Sequence, residues 1–364
     1  MLAEINVLVA IEPTSRKDGY LLSRSGLEAG LSKALGQSVT VTITEDLTDA
    51  MRSTRSGGYD IFIAPAQVAA SAINHGYTLI GSTDPEEQYV LIGKAGTVNV
   101  GALRQSRMYL PQQDSIYTYL ARGLLTANGL SFKDMRKMDY ARYPQAGLTA
   151  ISMHSADATV VRADDWERWQ KDNEGVAKVL ATSGTVPGGF SVTVKKTLAD
   201  DMSPQLNKWF TNSARSGGMK PALEHADLSH YKKVAELGTF TPTSLPGATV
   251  VSAAEVKQLV AQGAVVVDTR TEKEYKLKHI PSAVFVPYHE KSLKDVVYDA
   301  VLDDFGGIKT LNPKTPTVFH CNGAECWKSY KASRAAIAGG FAKVYWYRGG
   351  MPDWEASGQL MAKD

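Results

Sequence analysis

Short runs of consecutive apolar, largely β-branched residues recur along this chain: residues 5–11 (INVLVAI), 59–64 (YDIFIA), 264–268 (AVVVD) and 317–320 (TVFH). A strand without polar alternation must be covered on both faces, as in a parallel sheet sandwiched between helices. The segments between the runs carry helical spacing and helix stops. Residues 21–35 place apolar side chains at helical intervals and end at Gly36, and residues 48–56 end at Gly57 and Gly58. Residues 39–43 (VTVTI) alternate with threonine and read as a strand. The order strand, helix, strand, helix, strand predicts an α/β architecture with parallel sheets.

Further along, residues 89–94, 108–111, 156–161, 178–182 and 189–194 read as strands, 116–128 as a helix ending at Gly129, and 204–213 as another helix. The strand at 89–94 has no long helix just before it, so a second α/β unit is expected as an insertion in the first, over about 92–188. Residues 240–249 (FTPTSLPGAT) are rich in Pro, Thr and Ser and lack charge, which predicts an exposed linker. The expected domains are therefore a two-lobe unit over 1–239, the linker 240–249, and a small α/β domain over 250–364. In that last part a helix over 252–261 with Ser252 as N-cap, strands at 264–268, 283–286, 317–320 and 344–347, and a helix over 328–338 are expected.

The 364 residues suit two to three domains. Lys and Arg total 40 against 38 Asp and Glu, so no global charge draws the chain to nucleic acid or an anionic membrane. No run of about eighteen apolar residues exists, so no helix is expected to span a bilayer. The only cysteines are Cys321 and Cys326, too few for a disulfide scaffold.

Those two cysteines frame the strongest chemical signal. A buried strand delivers Cys321 to a tight loop, Asn322, Gly323, Ala324, Glu325 and Cys326, and a helix follows from about Trp327. A loop wrapped onto a helix N-terminus turns backbone N–H groups inward and favours an anion. A thiolate there has a lowered pKa and is a good nucleophile at neutral pH. Three readings of Cys326 remain open from the residues: packing, a partner thiol, or a metal ligand with His320 and Cys321. Adjacent strand residues point to opposite faces, which disfavours the metal.

Residues from about 250 to 358 resemble a rhodanese domain. The resemblance rests on Val267, Asp268, Thr269 and Arg270 with Glu274 and Tyr275; on His279, Ile280, Pro281, Ser282 and Ala283; on Phe319, His320 and Cys321; and on the run Tyr347 to Trp354 (YRGGMPDW). It implies that Cys321 accepts sulfane sulfur as a persulfide, with Asp268, Arg270 and His279 shaping the site. The related phosphatases, similar to the Cdc25 family, need an Arg six positions after the cysteine. Trp327 stands there instead, so no guanidinium fork is on hand for a phosphoryl group. The Cys-x4-Cys-Trp spacing resembles a rhodanese-like subgroup found near quinoprotein alcohol-oxidation systems. It implies that Cys326 can attack a Cys321 persulfide, releasing sulfide and leaving a disulfide.

Residues 5 to about 235 resemble a type II periplasmic solute-binding protein, near the phosphate and phosphonate binders of ABC importers. The carriers are residues 59–66 (YDIFIAPA), 102–104 (ALR), Leu110 and Pro111, 114–117 (DSIY) and 155–158 (SADA). The fold implied is a two-lobe type II periplasmic-binding-protein unit followed by a small rhodanese-like α/β domain with a parallel sheet. Such a unit binds a small molecule between lobes, at strand carboxyl ends and helix N-termini. Strand ends here offer Glu12, Pro13 and Thr14, then Gln67, Ser115, Tyr117 and Arg162, of which Thr14, Gln67, Ser115, Tyr117 and Arg162 are the candidate ligand residues. Asp114 departs from an anion binder's pattern, because a carboxylate there repels phosphate or phosphonate. A zwitterionic or cationic ligand is therefore expected beside a phosphonate-like one.

The leading expectation is a sulfurtransferase fused to a solute-binding unit, needing no cofactor and no metal. Its partners would be a small ligand, a sulfur donor and a thiol acceptor, with an ABC permease or a periplasmic reductant beyond them. The alternative is a non-catalytic binding protein whose cysteine loop is a thiol switch. The opening residues carry no basic stretch and apolar core of a signal peptide. A periplasmic location thus presumes a leader already removed, and the cytoplasm is the alternative.

Overall fold

The computed structural model describes residues 4–13, 23–217 and 227–364. The chain divides into two compact units, Met1–Gly238 and Thr239–Asp364. The first begins β1 (Ile5–Ala10), α1 (Arg24–Leu35), β2 (Val39–Thr44), α2 (Leu47–Ser56), β3 (Ile61–Ala64), α3 (Ala66–Asn74) and β4 (Tyr77–Glu87). It then enters a second lobe: β5 (Tyr89–Lys94), β6 (Arg107–Leu110), α4 (Ile116–Thr126), β7 (Lys137–Tyr140), α5 (Ala146–Ser152), β8 (Ala158–Arg162), α6 (Ala163–Asp172) and β9 (Ala177–Thr182). It returns through β10 (Val186–Lys195), α7 (Ala199–Gly217) and α8 (Leu228–Glu236).

The two lobes share one sheet pattern. The first runs β2-β1-β3-β10-β4, with β1 parallel to β2 and β3, and β10 antiparallel to β3 and β4. The second runs β7-β6-β8-β5-β9, with β6 parallel to β7 and β8, and β5 antiparallel to β8 and β9. The two-faced burial expected of the apolar runs is explicit in β1 and β3. Leu8, Ala10, Phe62 and Ala64 enter one core, while Val7, Val9, Ile61 and Ile63 enter another on the opposite face. Helix ends follow local chemistry: Asp46 caps α2 through Asp49 N, and Gly36 and Gly57 end α1 and α2 in the left-handed conformation.

The second unit comprises β11 (Thr249–Val250), α9 (Ala253–Ala261), β12 (Val265–Asp268), α10 (Glu272–Leu277), β13 (Val284–Phe285), β14 (Thr317–His320), α11 (Trp327–Ala338), β15 (Val344–Tyr347) and α12 (Gly350–Ala356). Its sheet, β11-β15-β14-β12-β13, is parallel throughout. Val266 and Val318 face one core and Val267 and Phe319 the other. Phe319 is wholly buried, and truncating such a ring to Ala costs on the order of 3–5 kcal/mol. Ser252 caps α9 in a reciprocal box with Glu255.

Three sequence expectations need correction. The helix expected to start at Pro204 starts at Ala199, where Asp200 and Asp201 complement the positive end of its dipole. Residues 77–87, not expected as a strand, form the eleven-residue β4. The exposed linker over 240–249 is not free chain: Thr241 and Leu245 are buried in the second unit.

Candidate functional sites

At the end of β14, Cys321 enters its loop with its sulfur joined to that of Cys326 in a disulfide. Cys326 is the N-cap residue of α11, so the disulfide lies at the positive end of that helix. Both cysteines are buried. Gly323 turns the loop at φ 83°, a left-handed conformation that suits glycine. Gly350 closes the other side: a Cβ there would stand 2.1 Å from the Cys321 carbonyl oxygen, to which Met351 N donates at 2.9 Å. The paired glycines after Arg348 thus permit close approach to the loop.

Behind the sulfur, Ser329 Oγ lies 3.1 Å from Cys321 Sγ and accepts from Trp346 Nε1 at 3.1 Å. The disulfide sulfur has no proton to give, so in this contact the Ser329 O–H is the donor. Neither Ser329 nor Trp346 belongs to the expected site set. A serine facing a cysteine from the first turn of the next helix is the local signal that could have found it.

The supporting residues form a rigid floor. Asp268, fully buried, accepts from Arg270 Nε at 2.9 Å and from a terminal guanidinium nitrogen at 2.6 Å. Arg270 also donates to Lys278 O at 2.7 Å, tying the turn before His279 to the floor, and approaches Asn322 Oδ1 at 3.5 Å. Thr271 caps α10 in a reciprocal box with Glu274, whose carboxylate also accepts from Asn322 Nδ2 at 2.6 Å. His279 stacks on Tyr275, with ring centroids 4.0 Å apart, and its backbone pairs with Ala362. Its contacts are thus with α10 and the C-terminal tail. Burial pushes the His320 imidazole down to about 4, so it is neutral at pH 7 although Asp268 lies 3.6 Å away.

Residues 239–245 lie along this site. Trp327 Nε1 donates to Thr239 O at 2.9 Å. Thr241 N and Oγ1 each donate to Ala324 O at 2.8 Å. Arg348 donates to Thr241 Oγ1, Thr241 O and Pro242 O at 3.2, 2.8 and 2.9 Å. Leu245 packs with Trp327, Tyr330 and Trp346. Glu325 completes a loop with no basic side chain of its own.

In the first unit, Glu12 lies two residues beyond β1. Its carboxylate accepts from Ile116 N at 2.6 Å, Gln67 Nε2 at 2.8 Å and Ser115 Oγ at 2.9 Å. Gln67 comes from the first turn of α3, and Ser115 is the N-cap of α4. Gln67 also donates to Asp114 O at 2.9 Å, and Thr48 Oγ1 to Asp114 Oδ2 at 2.8 Å, so both lobes contribute to one cluster. Beside it, the rings of Tyr89 and Tyr117 meet edge to face at 5.1 Å. Arg162 pairs with Glu87 at 2.5 Å, and Tyr89 OH donates to Glu87 at 3.2 Å. Burial pushes the Glu12 carboxyl up to about 7, against its three hydrogen bonds and with Asp114 adding repulsion. Burial and then the Glu12 charge push the Tyr117 hydroxyl well up.

Gln67, Ser115 and Tyr117 thus converge around Glu12. Arg162 reaches the cluster through Glu87 and the tyrosines, and Thr14 lies outside the described residues. The hub, Glu12, was visible in sequence only as a carboxylate after a buried strand. Among the described residues, no group of three or more His, Cys, Asp or Glu is arranged to hold a metal ion, and no helix is long and apolar enough to cross a membrane.

Comparison with known proteins gives two family matches. Residues 9–236 match the model described as "ABC transporter, phosphonate, periplasmic substrate-binding protein", and residues 252–357 match the rhodanese-like domain. Among solved structures, PhnD1 from Prochlorococcus marinus, in complex with methylphosphonate, is 16% identical. It covers 65% of this chain and 97% of its own, with a TM-score of 0.50. A binding-protein component of an ABC phosphonate transporter from Pseudomonas aeruginosa is 17% identical over 64% of this chain and 78% of its own, with a TM-score of 0.43. XAC2383 from Xanthomonas citri, bound to ATP, is 12% identical over 64% and 95%, with a TM-score of 0.48. No curated protein matches the chain.

Proposed function

Through residues 9–236 the chain belongs to the phosphonate-type periplasmic substrate-binding proteins of ABC transporters, and on that premise we propose that it couples ligand capture to rhodanese-type sulfur chemistry in the periplasm. The N-terminal lobes bind a small charged ligand where Glu12, Gln67, Ser115 and Tyr117 meet. An ABC permease is the partner expected of that unit. The C-terminal unit is a thiosulfate-type sulfurtransferase.

The observation that carries the sulfur reading is Cys321 at the buried loop's entrance, with the Ser329 hydroxyl 3.1 Å from its sulfur. The Cys321 thiolate attacks the outer sulfur of thiosulfate. The sulfur–sulfur bond of the donor breaks, sulfite leaves with the electron pair, and Cys321 holds a persulfide. The Cys326 thiolate then attacks the Cys321 sulfur, hydrosulfide leaves, and the Cys321–Cys326 disulfide forms. A dithiol reductant returns both thiols and is itself oxidised to a disulfide. A second reading, a thiol switch without turnover, is favoured by the disulfide itself.

Mass spectrometry of the reduced protein after thiosulfate tests the sulfur reading. One added sulfur on the loop peptide, lost in Cys321→Ser, is expected. A loop peptide that never gains sulfur leaves the thiol switch as the function.

A further inference from the structure

The start of α4 has the makings of an oxyanion seat: the N–H of Ile116, the hydroxyl of Ser115, the amide of Gln67 and the positive end of an eleven-residue helix. In this chain those three donors all go to the Glu12 carboxylate. A tethered carboxylate competes with any free oxyanion for the same donors, and it does so at high effective concentration.

A second observation concerns Gln67. Its amide nitrogen donates to Glu12 and to Asp114 O, which fixes the amide orientation, while its Oε1 is buried with no hydrogen-bond partner among the described residues. Gln67 is only 1% exposed. A buried acceptor left unmet favours a ligand that brings a donor.

The acidic groups outnumber the basic ones: Glu12, Asp114 and Glu87 stand here, Arg162 is paired with Glu87, and Arg122 acts on Asp114. Burial pushes the Glu12 carboxyl up to about 7, so its full charge is present above that pH. The rings of Tyr89 and Tyr117 add π faces, which attract cations.

We propose that Glu12 is the specificity-determining residue of this cluster. Its carboxylate fills the oxyanion seat and shuts out phosphate and simple phosphonates. The ligand is instead a small organic cation whose N–H donors are received by Glu12 and Gln67 Oε1. This rests on the N-terminal unit being a ligand-binding unit, and it names the ligand class.

Calorimetric titration of the full chain with methylphosphonate, inorganic phosphate and ethylammonium tests it, using wild type, Glu12→Gln and Glu12→Ser. Thermal melts identify variants that fold, and two variants of different size guard against the loss of one. Wild type is expected to bind ethylammonium and neither anion. Glu12→Ser, with the seat emptied, is expected to bind methylphosphonate at least about 100-fold more tightly than wild type, and either variant to bind ethylammonium at least about tenfold more weakly, the scale of losing one partner of a buried charge pair. Tight methylphosphonate binding by wild type overturns the inference alone and leaves the binding unit standing. So does a folded Glu12→Ser that gains no affinity for either anion while wild type binds ethylammonium. Silence from all three proteins with all three probes overturns the binding reading and the inference together.

Discussion

The hydroxyl of Ser329 sits 3.1 Å from the sulfur of Cys321 and takes its own donor from the indole of Trp346, at the same distance. A disulfide sulfur or a thiolate carries no proton, so in this contact the hydroxyl is the donor. A donor aimed at a sulfur stabilises the thiolate over the thiol, as it does at other charged acceptors. Ser329→Ala should therefore move the pH profile of persulfide formation to the alkaline side and slow the reaction at pH 7 by about tenfold, one hydrogen bond to a charged group. Stopped-flow measurement across pH checks this. An unshifted profile makes Ser329 a packing residue.

Cys326 gives a second test. Cys326→Ala should keep the Cys321 persulfide intact for longer and abolish the intramolecular disulfide. The readout is the time course of the added sulfur by mass spectrometry, with sulfide release measured in parallel. Equal lifetimes in wild type and variant would place Cys326 outside the reaction.

Glu12 makes stability depend on pH. Its carboxyl rises from an ordinary 4.5 to about 7 on folding. A raised pKa means the folded state holds the proton more tightly, so the contribution is full below 4.5 and is lost as pH climbs through 7. Glu12→Gln removes that loss. Between pH 4.5 and pH 8 the comparison should swing toward the variant by on the order of 3 kcal/mol. Urea melts at the two pH values measure it, and a difference independent of pH sinks the assignment.

The segment before β11 can be tested by truncation. A fragment beginning at Thr239 keeps Thr241 on Ala324 and Leu245 on the Trp327–Tyr330–Trp346 cluster, whereas one beginning at Val250 loses both. The longer fragment should melt cooperatively and at a higher temperature. Leu245→Ala in the full chain should cost about 2–4 kcal/mol, the range for a buried leucine. Identical melting of the two fragments would restore the spacer reading.

Local pattern carried much of this fold. Residues 89–94, 317–320 and 344–347 have the limits of β5, β14 and β15, because a strand buried on both faces announces itself as an unbroken apolar run. β4 was illegible because it ends in Asp84, Pro85, Glu86 and Glu87, a polar stretch that becomes strand by pairing with β10. Residues 240–249 misled for a related reason. Their composition is that of a spacer; what buries Leu245 is an aromatic cluster assembled from α11 and β15, and what holds Thr241 is the Ala324 carbonyl and the Arg348 guanidinium. At the cysteine loop, strand, turn glycine and helix start were all local, so a candidate nucleophile could be named. Ser329 needed a helix phase and Trp346 a sheet partner. At the Glu12 cluster, Gln67, Ser115 and Tyr117 were readable as helix starts, but the carboxylate that joins Gln67 to Ser115 arrives from β1, a relationship only tertiary structure supplies.

The close approach of Gly350 to the Cys321 carbonyl has a consequence for how portable the loop is. The cysteine turn is cast against a mould, and the mould is made by the far end of the domain, at Gly350 and Met351. A synthetic peptide of residues 317–330 contains both thiols and can close the same ring, yet it has no wall against which to set the turn. Its sulfurs would behave as ordinary solution thiols. The reactivity ascribed to Cys321 is accordingly a property of the closed domain, and a side chain grafted at position 350 should spoil it without touching either cysteine.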